Sequence, residues 1–113
     1  MPRERFWRDS SGRLTVDQPG IDSAQYPAVC RAIANAFSLA PNADFLVGPD
    51  QVFSEFRRGD EIVGMDWDNW MEFMVFAKTP AAETLVREIG SWLDANYGRP
   101  AAGYDSALDW PGR

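Results

Sequence analysis

The residues best suited to chemistry crowd into one short stretch, Asp66-Trp67-Asp68-Asn69-Trp70, with Glu72 just beyond it. Carboxylates this close to two indoles suit three kinds of work. Joined by Asp60, they could offer hard oxygen ligands to Mg²⁺ or Ca²⁺. As an acid and a base beside stacking aromatics, they could serve a small ligand-binding or sugar-cleaving enzyme. As a local negative field around an exposed Trp, they would steer in a basic protein surface and anchor it. Spacing argues against a metal. Asp66 and Asp68 lie about 6–7 Å apart if they share an extended strand, and the run lacks the central Gly and terminal Glu of a calcium loop. No metal and no cofactor are expected.

Composition narrows the choice further. The chain has no His, which removes the usual proton shuttle and any His-assisted Ser or Cys nucleophile. Its 113 residues make one domain, and a substrate cleft needs more wall than such a chain readily supplies. The expectation is therefore a non-enzymatic protein, with a carboxylate-based ligand- or metal-binding enzyme as the rival. Between Asp44 and Glu72 eight acids (Asp44, Asp50, Glu55, Asp60, Glu61, Asp66, Asp68, Glu72) face only Arg57 and Arg58, an excess equal to the formal net charge of −6. Acidity on this scale excludes nucleic acid as the expected partner, since phosphate binding is driven by Lys and Arg. No apolar run approaches the roughly 20 residues that cross a bilayer, nor does the start read as a secretory signal. Cys30 stands alone, so no intrachain disulfide is possible. Together these features predict a cytoplasmic protein that touches neither membrane nor nucleic acid.

The elements that must hold the acidic stretch follow from periodicity. Residues 1–21 carry the turn signals Ser10-Ser11-Gly12 and Pro19-Gly20 and read as a loosely ordered lead, with Leu14-Thr15-Val16 able to pair as an edge strand. Tyr26, Val29, Cys30, Ile33 and Phe37 recur at helical spacing, which predicts a helix over 23–39 capped by Asp22 or Ser23 and ended by Pro41-Asn42. Phe45-Leu46-Val47 reads as a short strand. Residues 49–58 fit a helical turn or a strand, with Arg58-Gly59-Asp60 as a tight turn favouring the strand. Residues 61–77 then form a hairpin with Asp68-Asn69-Trp70 as its loop. In that register Trp67 faces Met71, Val63, Met65, Trp67, Phe73 and Val75 share the core face, and Asp66 and Glu72 lie on the other. Leu85, Val86, Ile89, Trp92 and Leu93 mark an amphipathic helix that begins at Thr79-Pro80 and ends at Gly98. Beyond it, residues 99–113 are a Pro- and Gly-rich tail that Tyr104, Leu108 and Trp110 could pin to the domain.

The predicted architecture is an α+β domain over residues 22–98: a helix, a two- to three-stranded antiparallel sheet, and a C-terminal helix packed on one sheet face. No motif identifies a family. In general character the small acidic α+β layout is similar to the immunity proteins that block secreted bacterial toxins and to the acidic chaperones of specialised secretion systems. The first likeness implies an inhibitor of a basic bacterial protein; the second implies a homodimer that escorts a client. The partner-binding surface expected from the residues themselves is Asp60, Asp66, Asp68, Asn69, Trp70 and Glu72.

Overall fold

The computed structural model describes residues 5–98 of the chain. It is an α+β fold built on a six-stranded, wholly antiparallel sheet, with spatial order β1-β2-β6-β5-β4-β3. The strands are β1 (Phe6–Arg8), β2 (Leu14–Gln18), β3 (Ala40–Val47), β4 (Gln51–Arg58), β5 (Glu61–Asp68) and β6 (Glu72–Ala77). Helix α1 (Tyr26–Phe37) separates β2 from β3, and α2 (Glu83–Tyr97) follows a 3₁₀ turn at Pro80–Ala82.

Six strands replace the expected two or three, and most of the difference comes from the N-terminal segment. Far from being a loose lead, it supplies a hairpin whose second strand docks against β6, with Val16 opposite Val75 and Gln18 opposite Phe73. All five residues of β2 are buried. Its two apolar side chains, Leu14 and Val16, are too few to announce an interior strand by alternation alone; α2 and β6 supply the burial. Residues 51–58 are a strand along their whole length. The C-terminal segment 99–113, with Tyr104, Leu108 and Trp110, lies outside the described residues.

Period-two alternation places the core. Val63, Met65, Phe73, Val75 and Ala77 from the central pair join Leu14, Val16 and Phe56 on one sheet face. Both helices close over it. Val29, Cys30 and Ile33 come from α1, and Leu85, Val86, Ile89 and Leu93 from α2. No helix among the described residues covers the opposite face, and none is long and apolar enough to cross a membrane.

Local signals explain where the helices start and stop. One turn ahead of α1, Asp22 Oδ1 accepts the Gln25 N–H (2.8 Å) while Gln25 Oε1 accepts the Asp22 N–H (2.9 Å), a reciprocal capping arrangement. The helix ends three residues before Pro41-Asn42 begins: Ser38 takes a left-handed conformation and its N–H returns to the Ala34 carbonyl. Thr79 does not cap α2. Its hydroxyl donates to the Asp60 carbonyl (2.8 Å) and accepts the Ile62 N–H (3.2 Å), which ties the helix entry to the β4–β5 turn.

On the helix-free face Gly64 stands opposite Phe76, whose ring lies across it so closely that a Cβ at Gly64 would come within 2.3 Å of a ring carbon. The Arg13 guanidinium sits 4.2 Å over the same ring. This stack needs the missing side chain. Gly64→Ala should therefore lower the unfolding free energy by about 1–3 kcal/mol through overpacking. Gly48→Ala, whose Cβ would meet only ordinary contacts at 3.5 Å, should change it by less than about 0.5 kcal/mol. Urea denaturation of the two variants beside the parent checks the contrast.

Candidate functional site

The β5–β6 pairing is shifted by two from the expected register, and the three-residue loop lies one residue later in the chain. Trp67 pairs with Phe73 and Asp68 with Glu72, so the loop is Asn69-Trp70-Met71. A shift of two keeps every strand residue on its expected face, because side chains alternate with period two; only Met71 leaves the strand. Asp68 makes the loop: its Oδ1 accepts the N–H groups of Trp70 (2.8 Å) and Met71 (2.7 Å). Glu72 completes the reversal with φ of 58°, and its carboxylate accepts the Gly20 N–H (3.0 Å), binding the loop to the β2–α1 connection. Trp67 reinforces that link through Nε1, which donates to the Ile21 carbonyl (2.8 Å).

Three connections therefore meet at one end of the sheet: residues 19–25, the β3–β4 turn at 48–50 and the loop at 69–71. Between them opens a pocket of about 420 Å³. Tyr26 and Pro27 wall it from α1, Phe45 and Val47 from β3, and Trp67 and Val52 from the sheet; Asn69 and Asp50 stand among its polar lining. Of the residues expected from the sequence, Asp66, Asp68, Asn69, Trp70 and Glu72 gather at or next to this end. Asp60 does not: it sits in the β4–β5 turn at the far end of β5. Trp70 is 59% exposed, the most accessible Trp or Tyr among the described residues. Sequence reasoning assigned Tyr26, Phe45, Val47 and Trp67 to core or strand and missed that they share a concavity. The Gly48-Pro49 turn, which returns β3's end alongside α1, was the available signal.

Charge divides along the sheet in the same way. Toward the far end four acids are matched by cations, Arg8 with Glu83, Arg13 with Asp9 (2.8 Å), Arg58 with Glu61 (2.9 Å) and, on β4, Lys78 with Glu55 (2.7 Å), while Asp60 has no such partner among the described residues. These pairings hold the Asp9, Glu55, Glu61 and Glu83 carboxyls below their ordinary range, through bonds from Lys78, Arg58 and Arg8 and, for Asp9 against the opposing effect of burial, from the backbone and side chain of Arg13. At the pocket end Asp22, Asp50, Asp68 and Glu72 have no Lys or Arg partner among the described residues. Within the acidic stretch of the sequence Glu55 and Glu61 are thus neutralised, while Asp50, Asp68 and Glu72 have no Lys or Arg partner among the described residues.

Comparison of the chain with family models, curated proteins and solved structures finds no match. No group of three or more acidic or Cys side chains close enough to hold a metal occurs among the described residues. Cys30 is buried on α1, and that burial pushes its thiol up to about 11, so it has little thiolate near neutral pH.

Asp66 stands apart from the other acids. It lies on the helix-free face in a cross-strand row with Phe53 and Met74, and desolvation there lifts its carboxyl to about 6 from 3.8. Lys78, Arg13 and the Ser54 N–H offset part of that cost, while Asp68 adds to it. A folded-state pKa above the unfolded one means the folded protein holds the proton more tightly, so this residue's contribution is most favourable below about pH 4 and is lost as pH rises through about 6. Asp66→Asn should accordingly raise the urea midpoint above about pH 6, and the gain should shrink to nothing by about pH 4. Denaturation of both proteins across that range measures it.

Proposed function

We propose that this chain is a non-enzymatic protein-binding domain that receives a basic protein surface at its pocket end, in the manner of an immunity-type inhibitor. The observation that carries this reading is the set of carboxylates Asp22, Asp50, Asp68 and Glu72, left without Lys or Arg partners among the described residues while Asp9, Glu55, Glu61 and Glu83 toward the other end are matched. A bare negative surface draws a basic partner in quickly and orients it. Trp70, projecting from the loop between these acids, is the aromatic anchor on which affinity would rest.

The structure of the hairpin suits this task. Asp68 bonds the backbone of the loop itself and Glu72 ties the loop's end to Gly20, which gives Trp70 a defined backbone before any partner arrives. Occlusion of the partner's working surface is the mechanism; no group on this chain needs to react. The same reading assigns the protein to the cytoplasm, where a lone buried thiol such as Cys30 needs no oxidising compartment.

The test is capture from a lysate of the native cell on the immobilised full chain at low and high salt, followed by kinetics with the captured protein. The expected partner is rich in Lys and Arg, binds one to one and associates more slowly as salt rises. Asp50→Lys should slow association about tenfold at low salt, and Trp70→Ala should weaken binding about thirtyfold, the equivalent of about 2 kcal/mol. A partner indifferent to both substitutions overturns the reading.

A further inference from the structure

The outer edge of the sheet beside the pocket is open. β3 pairs only with β4 among the described residues and is exposed along all eight of its residues, whereas the opposite edge, β1, is three residues long. Long apolar edges invite another strand and are normally blunted. The first part of β3 is blunted, by Pro41 and by register shifts between Pro41 and Ala43 and between Ala43 and Leu46. The last part is not. Phe45, Leu46 and Val47 are 42%, 66% and 76% exposed.

Backbone geometry shows which groups are on offer. The Gly48 N–H donates to the Gln51 carbonyl (2.8 Å), so Gly48 faces β4. Antiparallel pairing alternates, and Val47, opposite Val52, then turns its own N–H and C=O away from β4. Val47 also borders the pocket. Phe45 and Val47 form one wall, Tyr26 and Pro27 of α1 form the other, and the channel between an edge strand and a helix is what a strand-adding peptide occupies.

We propose that β3 accepts an extended segment of the basic partner as a seventh strand, with an apolar side chain of that segment entering the pocket between β3 and α1. This rests on the protein-binding reading above and specifies how the partner is held. Asp44 and Asp50 bracket the open run, and neither pairs with a cation among the described residues. The matching segment therefore alternates apolar residues with Lys or Arg. A second copy of this chain is the poorer occupant, because it would bring the same uncompensated carboxylates to the seam.

The ¹⁵N-labelled full chain titrated with the capped peptide Lys-Val-Lys-Leu-Arg-Val tests this directly. Amide signals of Phe45, Leu46 and Val47 and the Trp67 indole signal should move together and saturate. Val47→Pro removes an outward donor while leaving the β4 ladder intact, so it should weaken the peptide about tenfold, the loss expected for one net hydrogen bond of roughly 1.4 kcal/mol, with an unchanged unfolding midpoint. Should that variant unfold, N-methylation of the peptide at alternate amides makes the same cut from the ligand's side. Loss of binding in Asp50→Lys with none in Val47→Pro overturns strand addition and leaves the protein-binding reading standing. No shift at β3 up to millimolar peptide overturns it too, as does movement of the β3 signals with protein concentration alone and a dimer by sedimentation.

Discussion

One buried hydrogen bond governs the placement of everything at the pocket end. Tyr26, wholly within the core, has a hydroxyl that must find a partner. It donates to the Met65 carbonyl and lies 2.6 Å from Ser54 Oγ, which itself donates to Met65 (2.8 Å). Ser54 and Met65 are cross-strand neighbours on β4 and β5. A single polar knot thus pins the first turn of α1 to the middle of the sheet, and burial raises the phenol's pKa. Around it the Phe45 and Phe73 rings each lie 5.9 Å from the Tyr26 ring. Because Tyr26 is also a pocket wall, the shape of the concavity follows from a bond inside the core.

A second knot holds the described ends of the chain. The Arg5 side chain is only 7% exposed, and its guanidinium bonds the Asp94 carboxylate (2.9 Å), the Asp17 carbonyl and Gln18 Oε1 (2.7 Å). Gln18 passes the connection on to the Gly98 carbonyl at the end of α2 (3.1 Å). A cation here also faces the negative pole of that helix. Burying Arg is costly unless its donors are used, and in this place most are.

How much of this was readable depends on what each residue had to signal. The α2 stripe and the 61–77 hairpin were plain, because long apolar periods survive a two-residue slip in register. Residues 51–58 gave both a strand and a helix pattern, and β4's two neighbours in the sheet settled it. The sheet's true width was hidden in β2 and β3. Buried Thr15, Asp17 and Gln18 look like loop residues until Arg13 (for Thr15), Trp7, Arg5 and Gly98 satisfy them, and Pro41 and Asn42 look like a break until they are seen on an edge. The acidic stretch was visible as composition, yet which of its acids are matched among the described residues depends on the fold: Lys78, which reaches Glu55, lies far away in sequence, and Arg58 meets Glu61 only because a tight turn joins β4 to β5. Asp60 was grouped with the hairpin by proximity in the chain, and β5 carries it to the opposite end.

The union of β2 with β6 also dictates when this fold can exist. As the chain leaves the ribosome, the hairpin of β1 and β2 emerges early, yet the strand that buries Val16 and Gln18 is made only when residues 73–76 appear, and their cover, α2, comes later still. Such distant pairings close slowly, since the loop entropy is spent before the contacts return anything. Between the release of β2 and that of β6 the nascent chain therefore carries a half-finished, apolar strand, and its cover by α2 comes only after both.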